Sequence, residues 1–176
     1  SGLSLFLFVV STVTNLSARQ VVPGLAVEDT SSARSDQTAL AMSPAAARLA
    51  AGINLARDEA GEGLLYLDPR LSSIALTRCG DLIGLNYFGH VDPFGVARYI
   101  YLLDQYGLEV YAWAGENLAK NNYGPEESPE RALATMMNSP THRENILFPE
   151  YVAMGVGEMS DSDGVMVYCI IFFAPW

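Results

Sequence analysis

Val165 to Ala174 reads VMVYCIIFFA, a β-rich run that is apolar at nearly every position. Successive side chains of a strand point to opposite faces, so a strand that is apolar on both must be covered on both. Tyr151 to Glu158 is a second β-rich run, and SDSDG, Ser160 to Gly164, joins the two as a hairpin. Asp161 and Asp163 lack the remaining oxygen ligands of a calcium loop, which leaves them a plain turn.

What covers the strand is announced upstream. Ser43-Pro44, Asp68-Pro69, Ser128-Pro129 and Ser139-Pro140 each set an oxygen-bearing residue before a proline. The oxygen accepts an amide that a helix start leaves orphaned, and proline has no amide to orphan. The spacing predicts helices from Pro44 toward Glu59, stopped at Gly61, and from Pro69 toward Tyr87. The second turns Leu71, Ile74, Ala75, Leu82 and Ile83 inward. Further helices fit Val96 to Gln105 and Pro129 to Met137. Helices followed by a doubly covered sheet predict an α+β chain, a three-layer α-β-α sandwich with the Val165–Ala174 strand inside. With 176 residues, one domain is expected, over residues 43–176.

Residues 1–42 read as an apolar N-terminal tail and a polar linker. Leu3 to Val13 is LSLFLFVVSTV, and Glu28 to Thr38 is EDTSSARSDQT. The apolar stretch has three readings: an export remnant with Ala18 as a cleavage position, a packing or self-assembly element within residues 1–27, and a membrane-surface anchor. Asn15-Leu16-Ser17 has the form of a glycosylation acceptor.

A net charge of −10 repels a phosphate backbone, so nucleic acid is not an expected partner. Two cysteines exclude a disulfide-rich scaffold. Cys79 on a helix and Cys169 on the central strand are expected to be buried and close, and two free thiols are favoured over a bridge. A helix–strand bridge needs its Cα atoms within ~7 Å.

The chain has two histidines. His90 lies in NYFGHVDPFG, His142 in SPTHRENIL, and Ala114-Gly115-Glu116-Asn117-Leu118-Ala119 falls between them. A carboxylate between two imidazoles is a set that binds a divalent metal or moves protons. Three hydrogen-bonding staples are the alternative.

These segments, in this order, resemble the CAP superfamily of cysteine-rich secretory proteins, venom antigens and plant pathogenesis-related proteins, and its prokaryotic branch most of all. The resemblance runs from the helix bearing Asn54 through Leu64-Tyr66-Leu67-Asp68, Tyr87-Phe88-Gly89-His90, Asp92-Pro93-Gly95, Gly115-Glu116-Asn117 and His142-Arg143-Asn145-Ile146-Leu147 to Gly155-Val156-Gly157, about residues 44 to 174. It implies an α-β-α sandwich with a cleft lined by two histidines and two glutamates. His90, Glu116 and His142 match three of those positions; Ser139 stands near the fourth, and Met136 replaces a usual tryptophan. The implied cleft set is His90, Glu116, His142, Asn117 and Ser139, with His90, Glu116 and His142 as ligands of an open, weak Zn²⁺ site. The implied role is an extracellular or cell-surface binding or structural module. Its partner would be a small ligand, a lipid or a cell-surface protein, with homo-oligomerisation through the tail a further expectation. A metal-dependent hydrolase or protease is the alternative. No residue is assigned a catalytic role.

Overall fold

The structure is a computed structural model that describes residues 42–176. The expectations for the N-terminal apolar segment, its cleavage, glycosylation and assembly lie outside the described residues. Helix α1 spans Pro44–Glu59, β1 Tyr66–Leu67, α2 Pro69–Gly84, α3 Arg98–Gln105, β2 Trp113–Asn121, α4 Ser128–Asn138, α5 Pro140–Ile146, β3 Ala153–Ser160 and β4 Met166–Ala174. The sheet order is β1-β3-β4-β2, so the run VMVYCIIFFA forms an interior strand. β4 pairs antiparallel with both neighbours, and β1 pairs parallel with β3.

Every residue of β4 is buried, and its side chains divide strictly between two cores. Met166, Tyr168, Ile170, Phe172 and Ala174 join residues of α1, α4 and α5 on one face. Val167, Cys169, Ile171 and Phe173 join α2 and α3 on the other. That is a three-layer α-β-α sandwich. Each large apolar side chain of β4 contributes ~1.5–3 kcal/mol by leaving water, which neither helical layer alone would secure.

Two of the four expected caps form. Ser43 accepts the Ala46 amide at 3.1 Å and Asp68 the Arg70 amide at 2.7 Å. Ser128 instead lies inside α4, whose N-cap is Glu127. Its buried hydroxyl donates to Asn121 Oδ1 at 2.7 Å and accepts from Tyr168 Oη at 2.9 Å, which ties α4 to β2 and β4. Ser139 sits at the N-cap of α5 without a side-chain cap bond. In the hairpin turn, Asp161 Oδ1 accepts the Asp163 and Val165 amides, each at 2.9 Å, so its carboxylate serves the turn.

Strands β1 and β2 were not expected. Trp113–Asn121 reads WAGENLAKN, and Gly, Glu, Asn and Lys are poor strand formers. Its full nine-residue pairing with β4 overrides that preference. β1 is held from the side, because Asn54 exchanges two hydrogen bonds of 2.9 Å with the backbone of Leu65. α2 also stops short of Tyr87, at Gly84.

Candidate functional site

The site grows from one residue absent from the expected set. Arg78 is fully buried on α2, in the same stripe as Leu71, Ile74, Ala75, Cys79 and Leu82. A guanidinium in that position needs acceptors in all its directions, and the fold supplies them. Nε donates to Glu116 Oε1 at 2.7 Å and Nη2 to Oε2 at 3.3 Å, a two-pronged grip on the carboxylate. Nη1 donates to the Tyr87 hydroxyl at 2.7 Å, and Nη2 also to the Gly89 carbonyl at 2.8 Å. Burial works against the charge of Arg78, but the Glu116 carboxylate outweighs it and holds the guanidinium above its ordinary value.

Glu116 points to the α2 face of β2 and is likewise fully buried. His90 Nδ1 lies 2.6 Å from Oε2. An ionised carboxylate only accepts, so Nδ1 carries the proton of that bond. One guanidinium therefore draws the Tyr87-Phe88-Gly89-His90 segment onto the sheet, and the glutamate locks its last residue.

Asn117, the next residue, points to the opposite face by strand alternation. Its amide donates to the His142 carbonyl at 3.1 Å, and its Oδ1 accepts from Asn145 Nδ2 at 3.0 Å. Asn145 Oδ1 in turn accepts from the Tyr151 hydroxyl at 2.9 Å. Gly115 makes this possible: a Cβ there would run into the Tyr151 hydroxyl and the Asn145 amide. His142 is buried, with Nδ1 2.8 Å from Ser139 Oγ. Arg57, also fully buried, donates through Nη1 to the carbonyls of Ile146 at 2.7 Å and Phe148 at 2.9 Å and so clamps the C-terminal end of α5.

The expected residues are thus tied in two linked groups. His90 and Glu116 meet directly, and on the other face of the sheet Asn117 reaches the His142 carbonyl while the His142 ring lies against Ser139. Sequence reasoning gave no role to Arg78, Arg57 or Tyr151, and quoted Asn145 only within the motif that carries the resemblance. The signal for Arg78 was present, a charge in the middle of an apolar helical stripe.

The arrangement does not fit the expected zinc site. Both oxygens of Glu116 already face Arg78, and a dication beside that guanidinium would meet like charge at close range. Among the described residues, no three His, Cys, Asp or Glu side chains are grouped to hold a metal ion. His90, Glu116 and His142 are better described as hydrogen-bonding partners than as a ligand set.

Beyond His90 the chain turns sharply. Asp92 Oδ1 accepts the Phe94 and Val96 amides, each at 2.8 Å. The loop presents Val91 and Phe94 to solvent, Phe94 being 79% exposed. No helix among the described residues is long and apolar enough to cross a membrane.

Comparison with known proteins agrees with the geometry. Uncharacterized protein YkwD of Bacillus subtilis is 35% identical over 104 residues, which are 59% of this chain and 38% of that protein. An extracellular protein containing an SCP domain from Bacillus anthracis superposes with a TM-score of 0.61 at 25% identity, over 74% of this chain and 40% of the other. An outer surface protein from Borrelia burgdorferi gives 0.65 at 17% identity, over 75% and 93%. This chain thus spans well under half the length of the Bacillus proteins. The description of the matching family is "Cysteine-rich secretory protein family", with the match running over residues 51–172. Sequence motifs, sandwich and match agree that the chain belongs to the CAP family of cysteine-rich secretory proteins.

Proposed function

We propose that this domain is an extracellular or cell-surface binding module whose His/Glu constellation builds the binding face rather than performing chemistry. One observation carries this reading: the Glu116 carboxylate is fully buried and held on both oxygens by Arg78, with His90 on one of them. A carboxylate so engaged is spent on architecture, because acting on a substrate would require it to abandon a buried cation. What it fixes in place is the segment that leads into the exposed Val91 and Phe94. The neighbouring proteins described as extracellular or outer-surface support the location. A small apolar ligand, a lipid or a cell-surface protein suits such a face, while Asn117, Ser139 and His142 hold α5 to the opposite face of the sheet. Self-assembly through residues 1–27 is a separate part of the proposal; light scattering with and without that segment reads it directly.

One observation favours a hydrolase as the second reading. Ser139 Oγ and His142 Nδ1 lie 2.8 Å apart, the pairing a serine nucleophile and its base require. A panel of peptide and ester substrates decides between the two. The binding reading expects no turnover above background in wild type. Turnover lost in both Ser139→Ala and His142→Ala would establish the hydrolase and remove the binding reading.

A further inference from the structure

The glycines of β3 set up a contact that the site does not use. Gly157 stands opposite Cys169 in register, and a Cβ on Gly157 would overlap the backbone of Ala75 and Leu76. Helix α2 therefore lies directly on the strand. One helical turn beyond Ala75, Cys79 meets Cys169 with 3.0 Å between the sulfurs. The Cys79 sulfur also lies 3.5 Å from the Val167 carbonyl oxygen. Both cysteines are free and fully buried, and they are the only two in the chain. Two sulfurs at this separation are nearer than unbonded sulfurs ordinarily pack.

We propose that Cys79 and Cys169 are a disulfide-forming pair, joined when the chain folds in an oxidising compartment, so that α2 is pinned covalently to the central strand β4. The extracellular placement proposed above supplies the setting, but the chemistry can be tested without it. The Cys79 thiolate attacks an oxidised dithiol or a small-molecule disulfide, forming a mixed disulfide and releasing one thiol. The Cys169 thiolate then attacks the Cys79 sulfur, the intrachain bond forms and the second thiol leaves. Two electrons and two protons have passed to the oxidant. Burial, followed by the neighbouring Cys79, pushes the Cys169 thiol up, so thiolate is scarce once the domain has folded. The exchange therefore belongs to the folding chain, before α2 seats on the sheet. Because Arg78 precedes Cys79, the bond would also anchor the helical turn that grips Glu116.

The test is to refold the reduced, denatured full chain in a glutathione redox buffer, alkylate it in denaturant, and weigh it. The expected product is a monomer that takes up no alkyl groups until reductant is added. Its thermal midpoint should lie roughly 10 °C above that of the same chain refolded with reductant. Cys169→Ala, having lost the second thiol, should gain no thermal stability from oxidative over reductive refolding. Natively folded protein with both cysteines alkylated after oxidative refolding would overturn the proposal. So would a bond found only between chains, or one whose formation abolishes the native circular dichroism. A finding that the protein resides inside the cell would remove the proposed location and leave this result untouched, so the two readings fail separately.

Discussion

Arg78 and Glu116, on helix α2 and strand β2, face each other across the core with Nε 2.7 Å from Oε1 and neither side chain exposed to solvent. The pair joins two elements that the chain's own connectivity keeps 38 residues apart. Two charges buried together are tolerable, whereas one left alone is not. Arg78→Met should therefore lower stability by about 3–5 kcal/mol, and Glu116→Gln by a comparable amount. The double variant should recover most of that loss, because neither charge remains. Urea denaturation of all four proteins measures the coupling, and additive losses would show that the two side chains act independently.

The close seating of α2 on β3 predicts a sharp contrast between glycines. A Cβ on Gly157 meets helix backbone, which cannot rotate away, while one on Gly124 meets nothing within 4 Å. Gly157→Ala should cost at least ~1–3 kcal/mol by overpacking, and Gly124→Ala should stay near zero. Equal denaturation midpoints would mean that the helix can lift off the strand freely.

Acid sensitivity should be traceable in part to Asp68. Burial pushes its carboxyl up, but the hydrogen bonds and charge of Arg70, with the Leu71 amide, pull harder and leave it below the usual carboxylate range. A lowered folded value contributes stability above the unfolded value of ~3.9, and that contribution disappears as pH falls through the folded value. Asp68→Ala should cost ~1 kcal/mol at neutral pH through loss of the α2 cap and its charge. The gap from wild type should narrow below about pH 4. Denaturation curves at neutral and acid pH check this, and a gap that widens in acid would reverse the assignment.

The layered fold was legible because its main signals are local. The two-faced apolarity of VMVYCIIFFA needs no partner to be noticed, and neither do the serine– and aspartate–proline helix starts. Ser128 and Ser139 show where such a signal stops. Each has the residue type of a cap, but the first is recruited by Asn121 and by Tyr168, which only the folded chain brings near, and the second lies against His142, three residues on. Strand β2 was hidden for a related reason: its residues disfavour a strand, and pairing with β4 decides the matter. His90, Glu116 and His142 were found by motif, and the motif suggested zinc binding. What changes the reading is Arg78, a residue outside those motifs whose importance depends on how α2 docks against the sheet.

The claim that Glu116 serves Arg78 and His90 rather than a metal is tested most directly by calorimetric titration of Zn²⁺ into the wild-type protein and into Glu116→Gln at neutral pH. The account predicts no saturable heat in either protein beyond that of dilution. A one-to-one binding isotherm in wild type that is lost in the still-folded Glu116→Gln would contradict it and restore His90, Glu116 and His142 as a metal site.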